Sequence, residues 1–332
     1  MKILLTCIFS LIFPLIVSYK MSVKIKRVVE GTGLAEGPHW DERSQTLFYV
    51  EIYANKICRY NPEDSVVTWA YTAHGPVGSI VPVKDKPNTF VAGCSKDIVL
   101  VTWDGENNCT DLPVKRLTTA LKHSQGTRFN DGKADPMGRF WTGTYTERGQ
   151  ELYLPNQGEL YSLDSNKVLT TRVTSVSISN GLAWSLNNKL LYYIDSPTRK
   201  VAEYDYDLLT GSIANKRIAF DLEENNLPGI PDGMTVDSKG NLWVALFEGA
   251  QVIQIDPRTK KLLRSIPMPA KRVTSVVFGG PLLDTLYVTT AGYGFSIQNE
   301  QTPADDLQGG SIYEVKGTGA RGVPANHYKI NL

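Results

Sequence analysis

Three observations in the sequence predict an all-β chain folded as a six-bladed β-propeller. First, strand-like apolar clusters recur at 46–51, 89–94, 139–144, 190–195, 241–246 and 285–290, and their equivalent residues Leu47, Phe90, Phe140, Leu191, Leu242 and Leu286 are spaced by 43, 50, 51, 51 and 44 residues. Second, each cluster is followed by another strand-like segment, KICRYN, DIVLVTW, GELYSLD, KVAEYDYD, QVIQIDP and GSIYEVKG in turn. Third, a single short stretch, Pro113 to His123, reads as helical. Units of about 40–50 residues with room for four short strands are the signature of propeller blades. A parallel βαβ arrangement would need a helix of about ten or more residues between strands, which these intervals do not supply. A β-sandwich gives no reason for six matched strand pairs.

In chain order, the N-terminal segment MKILLTCIFSLIFPLIVS comes first, with one lysine, an apolar run and the small residue Ser18. That pattern fits a cleaved secretory signal, and the run is shorter than the roughly 20 apolar residues of a membrane span. The expected organisation is a signal peptide over 1–19, then one propeller domain over 20–332 in a secreted protein without stable membrane insertion. The alternative is a start at Met21, which would leave the protein cytoplasmic. Lys24–Val29 then reads as a strand that completes the last blade and closes the ring. Downstream of the leader, Cys58, Cys94 and Cys109 are too few, and odd in number, for a disulfide framework. Asn108-Cys109-Thr110 fits a glycosylation sequon, given secretion.

The 35 basic and 34 acidic residues nearly cancel, and no basic run is longer than Lys260-Lys261. This argues against nucleic acid or an anionic membrane surface as partner. The histidines His39, His74, His123 and His327 lack metal-ligand spacing, and no G-x-S-x-G elbow supports a serine hydrolase. Gly31-Thr32-Gly33 precedes its strand, the wrong context for a dinucleotide fingerprint.

The stretch RFNDGKADPMGRFWTGT (128–144) puts three turn-favouring residues, Asn130-Asp131-Gly132, ahead of a buried strand. The same arrangement recurs. Glu36-Gly37 and Asn180-Gly181 lie 11 residues before Leu47 and Leu191, and Asn130 and Asp232-Gly233 lie 10 before Phe140 and Leu242. In the other two units the slot falls on Ser79 and Ser275. Equivalent positions in six blades form one ring around the axis, so these are expected to be loops that bring oxygen-bearing side chains to the central channel. Two carboxylates, two amides and two serines, without sulfur or imidazole, suit a hard divalent cation. The sequence therefore predicts a central divalent-metal site. Two carboxylates together in a low-dielectric channel would otherwise be costly.

On these motifs, EGPHW (36–40), RFNDGKADPMGRFWTGT (128–144), ISNGLAWS (178–185), YYIDS (192–196), PDGMTVDSKGNLWVA (231–245) and TSVVFGGPLLDTLYVT (274–289), the chain resembles the regucalcin (senescence marker protein 30), gluconolactonase and luciferin-regenerating enzyme family, most closely its insect members. The resemblance runs from about Lys24 to the C-terminus. It implies a propeller with one cation, Ca²⁺ first and Mg²⁺, Mn²⁺ or Zn²⁺ as alternatives, held by Glu36, Asn180 and Asp232. It also implies substrate contacts at Arg128 and Asn130. In vertebrate regucalcins the loop after the Gly-Thr of this strand carries a glutamate pair whose second member holds substrate. Here it reads Tyr145-Thr146-Glu147-Arg148, which puts Arg148 at that second position, leaves Glu147 as the glutamate candidate and counts against a sugar-lactone preference.

The expected function is thus a metal-dependent lactonase acting on a small lactone or ester. The cation would polarise the carbonyl and activate water, and Asp232 would serve as ligand and base. The alternatives are a calcium-binding regulator with little turnover, action on another ester or a luciferin-like heterocycle, and a passive interaction platform.

Overall fold

The computed structural model describes residues 22–331 apart from 121, 123, 149–152, 295–299 and 307, so the leader lies outside the described residues. Among the described residues the chain forms six four-stranded antiparallel sheets arranged as a β-propeller. The inner strands, in order, are Ala35–Asp41, Val77–Pro82, Thr127–Ala134, Ser179–Trp184, Ile230–Val236 and Val273–Gly279, and they define blades one to six. Neighbouring inner strands touch in sequence, and the sixth returns to the first. Closure is as expected: Lys24–Glu30 pairs antiparallel with Ser311–Lys316 and becomes the outer strand of blade six.

The core lies between the blades. Leu242, Val244 and Leu246 of blade five pack on Tyr192, Ile194 and Val201 of blade four, and the other interfaces repeat this pattern. Second strands are buried on both faces, which is why TLFYVE, LWVALF and TLYVTT read as continuous apolar runs. Cys58, Cys94 and Cys109 are free thiols. No helix among the described residues is long and apolar enough to cross a membrane.

Two expectations about local structure are corrected. The stretch taken as helical contains a strand, Val114–Thr119, the outer strand of blade two. Its Val114 and Leu117 pack toward the core while Lys115 and Arg116 are exposed. A half-buried edge strand with this slip in its alternation imitates the three-residue spacing of a short amphipathic helix, and the pairing with Asp97–Val101 decides the outcome. Likewise, Asn130-Asp131-Gly132 is no loop: it lies inside the eight-residue strand Thr127–Ala134.

Candidate metal and substrate site

Each inner strand carries one residue more than its partner at one point, so all six contain a β-bulge. The bulges fall at Asn130, Asn180 and Asp232 and directly beside Glu36, Ser79 and Ser275, the second to fourth residues of their strands, and all six residues are buried. A bulge re-aims a side chain without ending the strand, and this accounts for the turn-like residues in strand positions. The glycines that follow serve close packing. A Cβ on Gly181 would lie 2.7 Å from the Asp232 carbonyl oxygen, and one on Gly233 would lie 1.9 Å from Ser275 Oγ.

Glu36 and Asp232 face one another electrostatically. Burial, then the charge of Asp131, pushes the Glu36 carboxyl from an ordinary 4.5 up to about 8. Burial, then Glu36 and Asp131, holds Asp232 well above the usual carboxylate range. Glu36 Oε2 accepts the Gly37 N–H at 2.9 Å, whereas Asp232 Oδ1 and Ser79 Oγ are buried with no hydrogen-bond partner among the described residues. A buried carboxylate oxygen without a donor is costly unless another group satisfies it.

Asn180 is the third donor. Its Nδ2 donates to Ser196 Oγ (2.8 Å) and its Oδ1 accepts from Asn130 Nδ2 (3.0 Å), which fixes the amide orientation. Asn130 Nδ2 also reaches the Ser179 carbonyl at 3.0 Å, and its Oδ1 accepts from Arg128 Nη1 at 2.9 Å. No grouping of three or more His, Cys, Asp and Glu side chains suited to a metal occurs among the described residues. The ring instead combines two carboxylates with amide oxygen. That donor set, with the orphaned Asp232 Oδ1, fits a hard divalent cation better than zinc.

Arg128 is buried, and protein acceptors take all five of its N–H groups. Nε donates to Glu147 Oε1 (2.9 Å) and Nη1 to Phe129 O (3.0 Å) and Asn130. Nη2 donates to the Tyr145 (2.5 Å) and Tyr53 (3.5 Å) hydroxyls. The guanidinium carbon sits 4.4 Å and 5.3 Å from the ring centroids of Tyr145 and Tyr53. Glu147 also accepts from Tyr53 at 2.5 Å and from Tyr145. Although burial works against it, Arg128 and the two hydroxyls hold the Glu147 carboxyl below its usual range. Arg148 is exposed.

The structure thus gathers Glu36, Arg128, Asn130, Glu147, Asn180 and Asp232 at one end of the channel. Sequence reasoning missed Asp131, whose Oδ1 accepts the Gly132 N–H at 2.7 Å and whose charge acts on both ring carboxylates. It also missed Tyr53 and Tyr145. Asp131 was legible inside the repeated motif. Tyr53 was not, because it sits in a hairpin of blade one and meets Glu147 of blade three only in the closed ring.

Residues 34–292 match the family described as SMP-30/Gluconolactonase/LRE-like region. The chain belongs to this family. It is 37% identical over 304 residues to regucalcin of Xenopus laevis, covering 91% of this chain and 97% of that protein. It is similar in structure to a luciferin-regenerating enzyme, with TM-score 0.86 and 36% identity over 93% of this chain and 100% of that one. A gluconolactonase from Xanthomonas campestris shares the fold, with TM-score 0.66 and 17% identity over 89% of each chain. Every ring position, from Glu36 to Ser275, lies within the matched SMP-30/Gluconolactonase/LRE-like residues. Membership supports a lactonase-type or regucalcin-like function on a small molecule.

Proposed function

We propose that this chain is a divalent-metal-dependent hydrolase of the lactonase type, with Ca²⁺ as first candidate ion. The observation that carries the reading is the pairing of buried Glu36 with Asp232, whose Oδ1 has no donor among the described residues, at one end of the channel. Glu36, Asp232 and the Asn180 amide oxygen would hold the ion. When bound, it would supply a Lewis acid that polarises a lactone or ester carbonyl and acidifies a coordinated water. Asp232 takes the proton from the attacking water. Asn130 holds the Asn180 amide in place and ties it to Arg128. Arg128 orients Glu147 and the Tyr53 and Tyr145 hydroxyls, which offer polar contacts to the substrate.

The test is hydrolysis of a lactone panel by metal-stripped protein, with Ca²⁺, Mg²⁺, Mn²⁺ and Zn²⁺ restored singly. Activity that returns with none of them would overturn the proposal. Arg128→Ala should cut turnover or substrate affinity strongly and leave metal affinity nearly unchanged.

A second reading, a calcium-binding regulator with little turnover, is favoured by the full satisfaction of Arg128 inside the protein. Tight Ca²⁺ binding without hydrolysis of any lactone or ester in the panel would select it. We further propose secretion with cleavage near Tyr19 or Lys20, which mass spectrometry of the native protein would refute by finding an intact Met1 or only a Met21 start.

A further inference from the structure

The inner strands run past the acidic ring, and their later halves line a second chamber of about 300 Å³, partly open to solvent, at the opposite end of the channel. Blades one, three, four, five and six each contribute residues from or just past the end of the inner strand, including His39, Lys133, Ala183, Val236 and Phe278. The C-terminal segment forms one side of it, with Val323 to Asn326 among the lining. That segment is pinned by the Gly322 N–H to the Leu283 carbonyl (2.7 Å), the Tyr328 N–H to Pro82 (3.0 Å) and Asn326 Nδ2 to Ala134 (3.3 Å).

The chamber is walled mainly by apolar groups, yet it contains one ammonium. Lys133 Nζ donates to the Met234 carbonyl at 2.7 Å, and no carboxylate lies within ion-pair distance of it among the described residues. A lysine has three N–H donors, so two remain for another acceptor. Burial depresses the Lys133 ammonium, and only the charge of nearby Asp131 opposes this. Other charges near the chamber are spoken for or outside it. Asp41 is bound by Arg43, and Glu42 is exposed at the rim. His39 is held neutral, its pKa lowered by burial to about 3.

We propose that this chamber binds a small amphipathic monocarboxylate, its carboxylate on Lys133 and its aliphatic body against Ala183, Val236, Val277, Phe278 and Leu283. Asp131 acts on the ammonium through its charge without forming an ion pair with it, its Oδ1 being held by the Gly132 N–H, so the ammonium can pair directly with one negative charge. A dianion such as a phosphate ester would leave a second charge uncompensated in apolar surroundings. The site is separate from the acidic ring and does not depend on the lactonase reading.

The experiment is calorimetric titration of the full protein with butanoate, hexanoate, octanoate and the uncharged hexanamide, each with and without bound Ca²⁺. The expected result is saturable binding of the carboxylates in both metal states, about fourfold tighter per added methylene while the chain fits. Lys133→Met should weaken hexanoate at least tenfold, Lys133→Arg should restore most of it, and hexanamide should be indifferent to either change. Ala325→Phe keeps Lys133 and narrows the chamber, and it should exclude octanoate before butanoate, so the proposal stays testable if Lys133→Met fails to fold. Absence of saturable binding, equal affinity for hexanamide, or binding that needs Ca²⁺ and ignores Lys133 would each overturn it.

Discussion

Asp232 and Asp237 lie five residues apart in blade five, near the start and just past the end of one inner strand, and both are buried. Their surroundings are opposite. Asp237 accepts five hydrogen bonds: Oδ1 from the Lys239 and Asn241 N–H groups (both 2.9 Å), Oδ2 from Asn241 Nδ2 (3.0 Å), Trp243 Nε1 (3.0 Å) and Gln254 Nε2 (2.8 Å). Blade three repeats the device. Asp135 accepts the Met137 and Arg139 N–H groups, Arg139 Nε, Trp141 Nε1 and the Tyr206 hydroxyl. The two segments read DPMGRFW and DSKGNLW, and four of the five donors to Asp237 lie within six residues of it. Asp232 is instead set against a second carboxylate, and its Oδ1 receives no donor among the described residues. A carboxylate that staples a hairpin brings its donors in its own sequence. One that serves the channel meets its neighbours only across the ring, and those neighbours are acidic.

The largest effect that would break this comparison is expected from Asp232→Asn. The amide keeps shape and one oxygen but loses charge and basicity, so activity should fall about 10²-fold or more even at saturating metal. Parallel calorimetry should show weakened metal binding in both Asp232→Asn and Glu36→Gln. Full activity of Asp232→Asn at saturating metal would remove Asp232 as the base, and unchanged metal affinity in both variants would refute the shared site.

Asp237→Ala should act on stability alone. It strands buried donors, including the Trp243 indole, and should cost about 3 kcal/mol in urea unfolding while leaving metal affinity unchanged. A comparable loss of metal affinity would show that the two ends of the strand are not independent.

The staple at Asp237 and the ring carboxylates should also respond oppositely to pH. Burial opposes ionisation of Asp237, but the bonds from Trp243 and Asn241 prevail and hold its pKa below 3.8. Its contribution is therefore complete above the unfolded value and lost as pH falls through the folded one. The ring has the other sign. Glu36 rises from 4.5 to about 8 through burial and Asp131, so the native metal-free protein holds a proton that the unfolded chain releases in that window. Stability of metal-free protein should fall between about pH 4.5 and 8, and metal binding near pH 7 should release protons. Thermal melts across pH with and without metal would check both signs.

The smallest effect is expected from Asn180→Ala. A neutral donor is lost, so metal affinity should drop about tenfold, less than for either carboxylate variant, and turnover should fall as the ion loosens. A drop equal to that of Glu36→Gln in the same titration would make the amide an equal partner.

Much of this was legible in the sequence because propeller blades repeat. Leu47, Phe90, Phe140, Leu191, Leu242 and Leu286 mark second strands that cross the same core six times, so one spacing reveals all six. The ring was legible for the same reason, since an oxygen-bearing residue falls at or directly beside each inner-strand bulge. Val114–Thr119 was misread because an edge strand is held by its neighbour, and its own pattern carries little of that information.

By itself, then, the sequence determined the blade count, the strand that closes the ring and the position of the acidic ring. Each follows from local period. Only the tertiary structure decided that Asn130 is an inner-strand residue, that Tyr53 reaches Glu147 from two blades away, and that Arg128 has no donor left over. It alone set Lys133 in an apolar chamber with the C-terminal segment along one side. Those contacts join residues dozens to hundreds of positions apart, and they exist only because closing the ring fixes the distances between blades.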